Sequence, residues 1–259
     1  IGGSPGAANL PTYESECDFD VNSSTTSYTM TLDTTFDNRC GDVTMYPPAS
    51  GTFTFNRSAG GGLKIYGNWS VSSSGVSDGQ NAGSVILAAS SSKTINTNGI
   101  VMNSITFDGV NGSWTMLSGY TGKTSSGGAI TLTNGTLNTN GQLLDQLGGF
   151  FSNSTSTRSL ILGSSTVNLG GSSNWSISTS TGMTFNAGTS KINMTGGNGG
   201  TFTGGGLTYN ELDLSPGLNS TIAGSNTFIN LIATSTGANQ KIVFASNTIT
   251  TVTNFKVNG

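Results

Sequence analysis

From Thr44 onward, apolar and polar residues alternate in short runs. Phe53-Thr54-Phe55, Leu63-Lys64-Ile65, Trp69-Ser70-Val71, Ile105-Thr106-Phe107 and Trp114-Thr115-Met116 set the pattern. Ile130-Thr131-Leu132, Val167-Asn168-Leu169, Trp175-Ser176-Ile177, Ile192-Asn193-Met194 and Leu212-Asp213-Leu214 continue it. A period of two puts the apolar side chains on one face, so each run predicts a short, half-buried strand. Clusters of Gly, Asn and Ser separate the runs, and these residues adopt positive φ at low cost. Successive runs begin roughly seven to ten residues apart, which suits short strands joined by tight turns. No window carries a helical period. The least strand-like stretch, Leu143 to Phe151, is where a single helical turn is expected.

Two segments return at nearly one offset. Asn68-Trp69-Ser70-Val71 recurs as Asn174-Trp175-Ser176-Ile177. The ten residues from Asn98 to Phe107 recur, without a gap, as Gly205 to Leu214. Matched anchors of this kind are how solenoids are written. A sandwich needs longer alternating runs, whereas very short strands at even spacing fit an all-β, parallel β-helix-like solenoid. There each strand pairs with its counterparts one coil above and below. Asn103 and Asn210 occupy equivalent places in the two copies. They read either as an Asn-on-Asn stack at a corner or as ordinary turn residues.

Composition divides the chain. Residues 1–48 hold seven of the twelve acidic residues (Glu14, Glu16, Asp18, Asp20, Asp33, Asp37 and Asp42) and both cysteines. They read as an acidic N-terminal cap or assembly segment, ending near Pro47-Pro48, before a repeat region over 49–259. Cys17 and Cys40 are expected to form a disulfide, worth roughly 3 kcal/mol by loop-closure entropy, which implies an oxidising, extracellular setting. Ile1 and the closing Asn254 to Gly259 read as a processed chain or a piece of a longer one.

Charged residues make up 8% of the chain and the net charge is −3. The nine basic residues never cluster, so there is no footprint for nucleic acid. No apolar run approaches the roughly 20 residues of a membrane span.

Candidate chemistry is thin. Glu14, Glu16, Asp18 and Asp20 alternate and would share one face of a strand. Four such carboxylates are a candidate Ca²⁺ site, the alternative being a solvated acidic face. No other cofactor is implied. The chain has no histidine, which excludes a Ser-His-Asp triad within it. Glycoside hydrolysis would need two carboxylates roughly 5 to 10 Å apart, drawn from Asp108 or Asp145 with Glu211 or Asp213. The repeated segments share no acid, and no catalytic residue is assigned. Trp69, Trp114 and Trp175 read as core or coil-corner residues, with sugar stacking as the alternative. Asn-x-Ser/Thr triplets, at Asn68, Asn153, Asn174 and elsewhere, occur about as often as this composition gives by chance.

Stretches such as Ile130 to Gly141, Thr201 to Asn210 and Gly224 to Leu231 resemble the Gly/Asn/Thr-rich repeats of secreted bacterial surface adhesins. They are equally similar to the repeats of phage tail fibres and other virion appendages. The resemblance covers roughly Gly51 to Gly259 and carries no catalytic residues. It implies a non-enzymatic rigid spacer and attachment element at an extracellular or virion surface. Its partners would be further copies, fibre neighbours or host surface glycans. The alternatives are a tailspike-like domain that cleaves or binds host polysaccharide, and a self-assembling filament subunit without a ligand.

Overall fold

The computed structural model describes residues 14–19, 24–32, 38–57, 62–72, 75–79, 83–123, 128–170, 173–196, 200–217, 219–234 and 241–258. Among them there are strands and turns but no helix, and every strand pairing is parallel. The strands stack as a β-solenoid of about nine turns. Register partners lie from 19 residues apart (Leu212 and Leu231) to 27 apart (Trp175 and Phe202), which is the length of one coil.

Most coils have three sides. The first face carries Cys17–Phe19, Val43–Met45, Trp69–Val71, Ser92–Asn96, residues 113–116 and 135–138, Arg158–Ile161 and Met183–Asn186. The second carries Tyr28–Leu32, Phe53–Arg57 and Val76–Asp78, then a separate sheet running from Val101–Met102 to Thr251–Val257. The third runs from Asn38–Cys40 through Leu63–Ile65, Val85–Leu87 and Trp175–Ser176 to Lys241–Phe244. The first face has no strand after Met183–Asn186 among the described residues. From residue 200 onward the described strands lie on two sides only.

Alternation explains the core. In Leu63–Ile65, Trp69–Val71 and Val85–Leu87 the outer two residues are buried and the middle one is partly exposed. The apolar partners of successive coils therefore meet inside one prism. Its aromatic spine lies on the third face. The ring of Trp175 stacks on Phe150 at 4.3 Å and on Phe202 at 6.1 Å, with Tyr209 edge-on. The Trp175 indole N–H donates to the Tyr209 hydroxyl at 3.2 Å, which in turn donates to the Gly204 carbonyl.

Corners need special backbone. Where the first face turns into the second, Asn98-Gly99 and Asn140-Gly141 both take positive φ (48° and 76°, 53° and 71°), a region open to Asn and Gly. Inside the same corner, Thr97, Thr139 and Ser165 are fully buried. The Thr97 hydroxyl pairs with that of Ser118 and donates to the Gly119 carbonyl, while Thr139 pairs with Ser165 at 2.7 Å beside the Leu162 carbonyl. Such pairing is what makes burial of a hydroxyl affordable.

The expected helical turn at Leu143 to Phe151 is instead two strands, Leu144–Leu147 and Phe150–Phe151, on adjacent faces. Leu144 pairs with Val167 and Leu147 with Leu169, so one extra residue bulges between them. Both leucines still point inward. The resulting three-residue spacing imitates a helix.

The expected disulfide is formed between Cys17 and Cys40, with Cα atoms 6.0 Å apart. It links the first-face and third-face strands of the first coil. Cys17–Phe19 and Val43–Met45, from within residues 1–48, are ladder neighbours in the same sheet as Trp69–Val71.

Candidate functional surfaces

The polar side chains on the outer faces mostly bind the next coil. Asp42 accepts the Asn68 N–H at 2.7 Å, and Asn68 Oδ1 accepts the Thr94 N–H at 2.9 Å. Asn174 does the same for Thr201 at 2.8 Å, and Asn153 for Ser178 at 2.8 Å. On the second face, Asn168 donates to Asp145 and Asn193 donates to Asn168, each at 2.7 Å. That ladder stops at Asp213, the register partner of Asn193, because an amide oxygen and a carboxylate are both acceptors. Asn193 Oδ1 is buried and has no donor. Asn254 donates to Asn230 at 3.0 Å further along.

Asn103 and Asn210 do not form an Asn-on-Asn stack. Asn103 donates to the Gly79 carbonyl, and Asn210 to the Ser190 carbonyl at 2.9 Å. Each amide satisfies a backbone oxygen of the preceding coil.

The four carboxylates considered for hydrolysis do not converge. Asp108 is exposed beside the third face and accepts from Asn134 at 2.6 Å. Asp145 lies on the second face three coils from Asp213, a separation of about 14 Å at the usual strand spacing. Only Glu211 and Asp213 are neighbours, and both bind Lys191 Nζ, at 3.2 and 3.0 Å. Burial alone would raise the Asp213 pKa, but hydrogen bonds from Ser215 and Lys191 outweigh it and hold the group below its usual range. For Lys191, burial pulls the other way from its bonds to Asp213 and Glu211, and the bonds prevail, leaving its pKa raised. A general acid needs a raised carboxyl. This trio instead forms an ion-pair knot.

Of the candidate calcium ligands, Glu14, Glu16 and Asp18 are exposed on one side of the first strand, alternating with buried Cys17. Asp20 lies outside the described residues. Glu14 and Glu16 line a polar cleft of about 320 Å³ with Asp42, Tyr66 and Lys93. Among the described residues no three His, Cys, Asp or Glu side chains gather in a way that could hold a metal ion.

Trp69, Trp114 and Trp175 are all buried in the core, so none offers a ring to a sugar. Two other hollows lie among the described residues. One, of about 520 Å³, opens where the second face breaks between Val76–Asp78 and Val101–Met102, with Val76, Ile100 and Val101 beside Asp78 and Lys123. The break is bridged by Asp78, which accepts the Asn103 N–H at 2.7 Å. The other, of about 340 Å³, opens at the last coil between Leu231, Phe244, Val252 and Phe255.

Sequence reasoning missed Arg158. It is 1% exposed and, among the described residues, has no carboxylate partner. Its guanidinium donates to the Ser152 hydroxyl at 2.7 Å and to the carbonyls of Ser152, Ser156, Thr179 and Thr181. Burial lowers its pKa from the ordinary guanidinium value. The side chain locks two stacked corner loops. Its only sequence signal is a charged residue in an inward position before Leu160.

Among the described residues no helix is long and apolar enough to cross a membrane. No protein-family model, curated protein or solved structure matches the chain.

Proposed function

We propose that this protein is a structural and adhesive element of an extracellular or virion-surface fibre, a stiff spacer whose outer faces carry attachment. The observation that carries the reading is the continuous stack. Register partners run from Cys17 on the first face to Val257 on the second, so backbone hydrogen bonds lie along the axis. Each coil then braces its neighbours, a quasi-one-dimensional construction that resists bending and proteolysis. Side chains that would carry chemistry in an enzyme are engaged in holding coils together, as with Asp42, Asp145 and the Lys191 knot. The disulfide and the lack of a membrane-crossing helix among the described residues are compatible with an exterior location.

Outer faces rich in Asn, Ser and Thr offer paired donors and acceptors, which suit glycan hydroxyls or a neighbouring fibre subunit. Electron microscopy with antibodies raised against the folded chain tests the reading. Labelling along appendage shafts is expected, and labelling confined to the cell interior overturns it. Incubation with host capsule polysaccharide should leave the polymer's length unchanged. Shortening would transfer the argument to a cleaving spike.

A further inference from the structure

One aromatic ring in the middle of the stack points outward. In Phe150–Phe151 the first ring is buried against Trp175, so the alternation turns Phe151 away from the core, where it is half-buried. Its register partners on the third face are Thr131, one coil before, and Ser176, one coil after. Thr106 and Thr203 extend the same column by a further coil each way. Phe151 is thus a single ring in a column of hydroxyls, on strands roughly 5 Å apart.

The ring reclines along this face. A Cβ added at Gly149 would stand 2.6 and 2.7 Å from Cε2 and Cζ of Phe151, so the far edge of the ring fills the space above that glycine. The mount is stiff. Phe150 is stacked on Trp175 at 4.3 Å, and the fully buried Ser152 hydroxyl accepts from Arg158 Nε at 2.7 Å and donates to the Leu132 carbonyl at 3.0 Å. A ring carried between two anchored residues loses little freedom when a ligand settles on it. The surrounding polar groups are uncharged. Ser176 donates to Asn153 Oδ1 at 3.1 Å, which leaves the Ser176 oxygen able to accept and the Asn153 amide able to donate. Asn153 and Asn174 are exposed, and Thr131 and Ser176 are partly so.

We propose that Phe151 is the stacking platform for a neutral pyranose sugar. The C–H face of the sugar covers the open side of the aromatic ring. Its edge hydroxyls reach Thr131 and Ser176 on the adjacent coils, whose own hydroxyls both donate and accept. The ligand is neutral because the column from Thr106 to Thr203 carries no charge. A single flat platform binds weakly, on the order of millimolar, and many copies on one surface strengthen it through avidity. The inference rests on the attachment reading above and adds the residue and the sugar class.

The test is a titration of the full chain with methyl β-glucopyranoside and with cellotetraose, followed by NMR of 13C-labelled phenylalanine rings. Expected is a saturable shift of the ring signals that are missing from Phe151→Leu, and binding roughly fivefold weaker in that variant. Leucine keeps apolar bulk over Gly149, so the circular dichroism spectrum and melting temperature should match wild type. Phe151→Trp, with a larger ring, should bind at least as tightly, and it gives the answer if the leucine variant unfolds. Sorbitol offers hydroxyls without a flat face and should leave the ring signals in place. A ring that serves only to cover Gly149 gives no shift with either sugar, which overturns the platform. An equal shift with sorbitol overturns the stacking. Undiminished sugar binding in Phe151→Leu overturns the platform and leaves glycan attachment to another part of the chain. The antibody labelling described above decides the fibre reading independently, so the two fail separately.

Discussion

The three-sided body and the two-sided end are built from the same alternating strands, yet they hold their interiors differently. In the body, a strand on each of three faces closes around Trp69, Trp114 and Trp175, which are at most 1% exposed. After Met183–Asn186 the first face ends, and Phe185 is only partly buried although it packs on Tyr209 at 4.8 Å. The next coils still bury Phe202, Tyr209 and Phe228, because large aromatic rings fill the space a third strand would have enclosed. In the final coil no such cover lies among the described residues, and Phe244, Ile249 and Phe255 are exposed. Enclosure, more than strand propensity, separates the two regions. Stability in a stack of this kind is a sum of nearest-neighbour terms.

The sharpest way to break this comparison is a pair of truncations. Trp175→Ala empties a site packed by Phe150, Phe202 and Tyr209 and should cost about 3–5 kcal/mol in urea unfolding. Phe255→Ala, at the open end, should cost about 0.5 kcal/mol or less. Equal losses would mean that the ends are as well enclosed as the middle. Next in size, Arg158→Met should cost about 3 kcal/mol, since it strands the carbonyls of Ser152, Ser156, Thr179 and Thr181. Hydrogen exchange should speed up in those two loops first, and unaltered exchange there would remove the guanidinium as their lock.

Reducing the Cys17–Cys40 bond should cost about 3 kcal/mol. The loss should be confined to exchange in the first coils, with Thr227–Ala233 unaffected. The smallest effect belongs to Lys191→Met, under about 1 kcal/mol, because the lysine side chain is 37% exposed and water screens the pair. Its pH dependence is specific. The Asp213 contribution is present above the ordinary value of 3.8 and is lost as pH falls through the lower folded value. The Lys191 contribution is present below 10.5 and is lost as pH rises through the higher folded one. Parallel acid and alkaline limbs in wild type and variant would show that the knot contributes nothing.

Much of the fold was legible because a period of two has one structural meaning. Leu63-Lys64-Ile65 and Val167-Asn168-Leu169 are buried at both ends and paired to the coils above and below, as the pattern requires. The repeated Asn-Trp-Ser was also a true signal, though of something smaller than a coil. Asn68 and Asn174 each cap an N–H of the next coil and set an indole inward, but on different faces. The repeated segment from Asn98 likewise shares its corner, since Gly99 and Gly206 both have positive φ near 75°. It then diverges, because Ile105 begins the third face while Leu212 stays on the second.

What stayed hidden was what coil geometry, rather than local pattern, decides. A bulge at Leu144–Leu147 changed the spacing of apolar residues. The partners of Arg158, mostly carbonyl oxygens, leave no trace in side-chain identity. The carboxylates Asp108, Asp145 and Asp213 looked interchangeable until the register put them on different faces or coils. Gly112 is a further case. A Cβ there would run into the Ala89 carbonyl of the neighbouring coil, a requirement that nothing adjacent in sequence announces.

The disulfide has a mechanical consequence. Pulled from the end that carries Thr251–Val257, the chain would unwind one coil at a time, each releasing some 20 residues, or roughly 70 Å of slack. Pulled from the other end, the first coil cannot open, because Cys17 and Cys40 short-circuit the residues between them and pass the load to Val43–Met45 and Trp69–Val71. The molecule is a spool with one fastened end. Tension applied along the axis would be tolerated very differently according to which end is held.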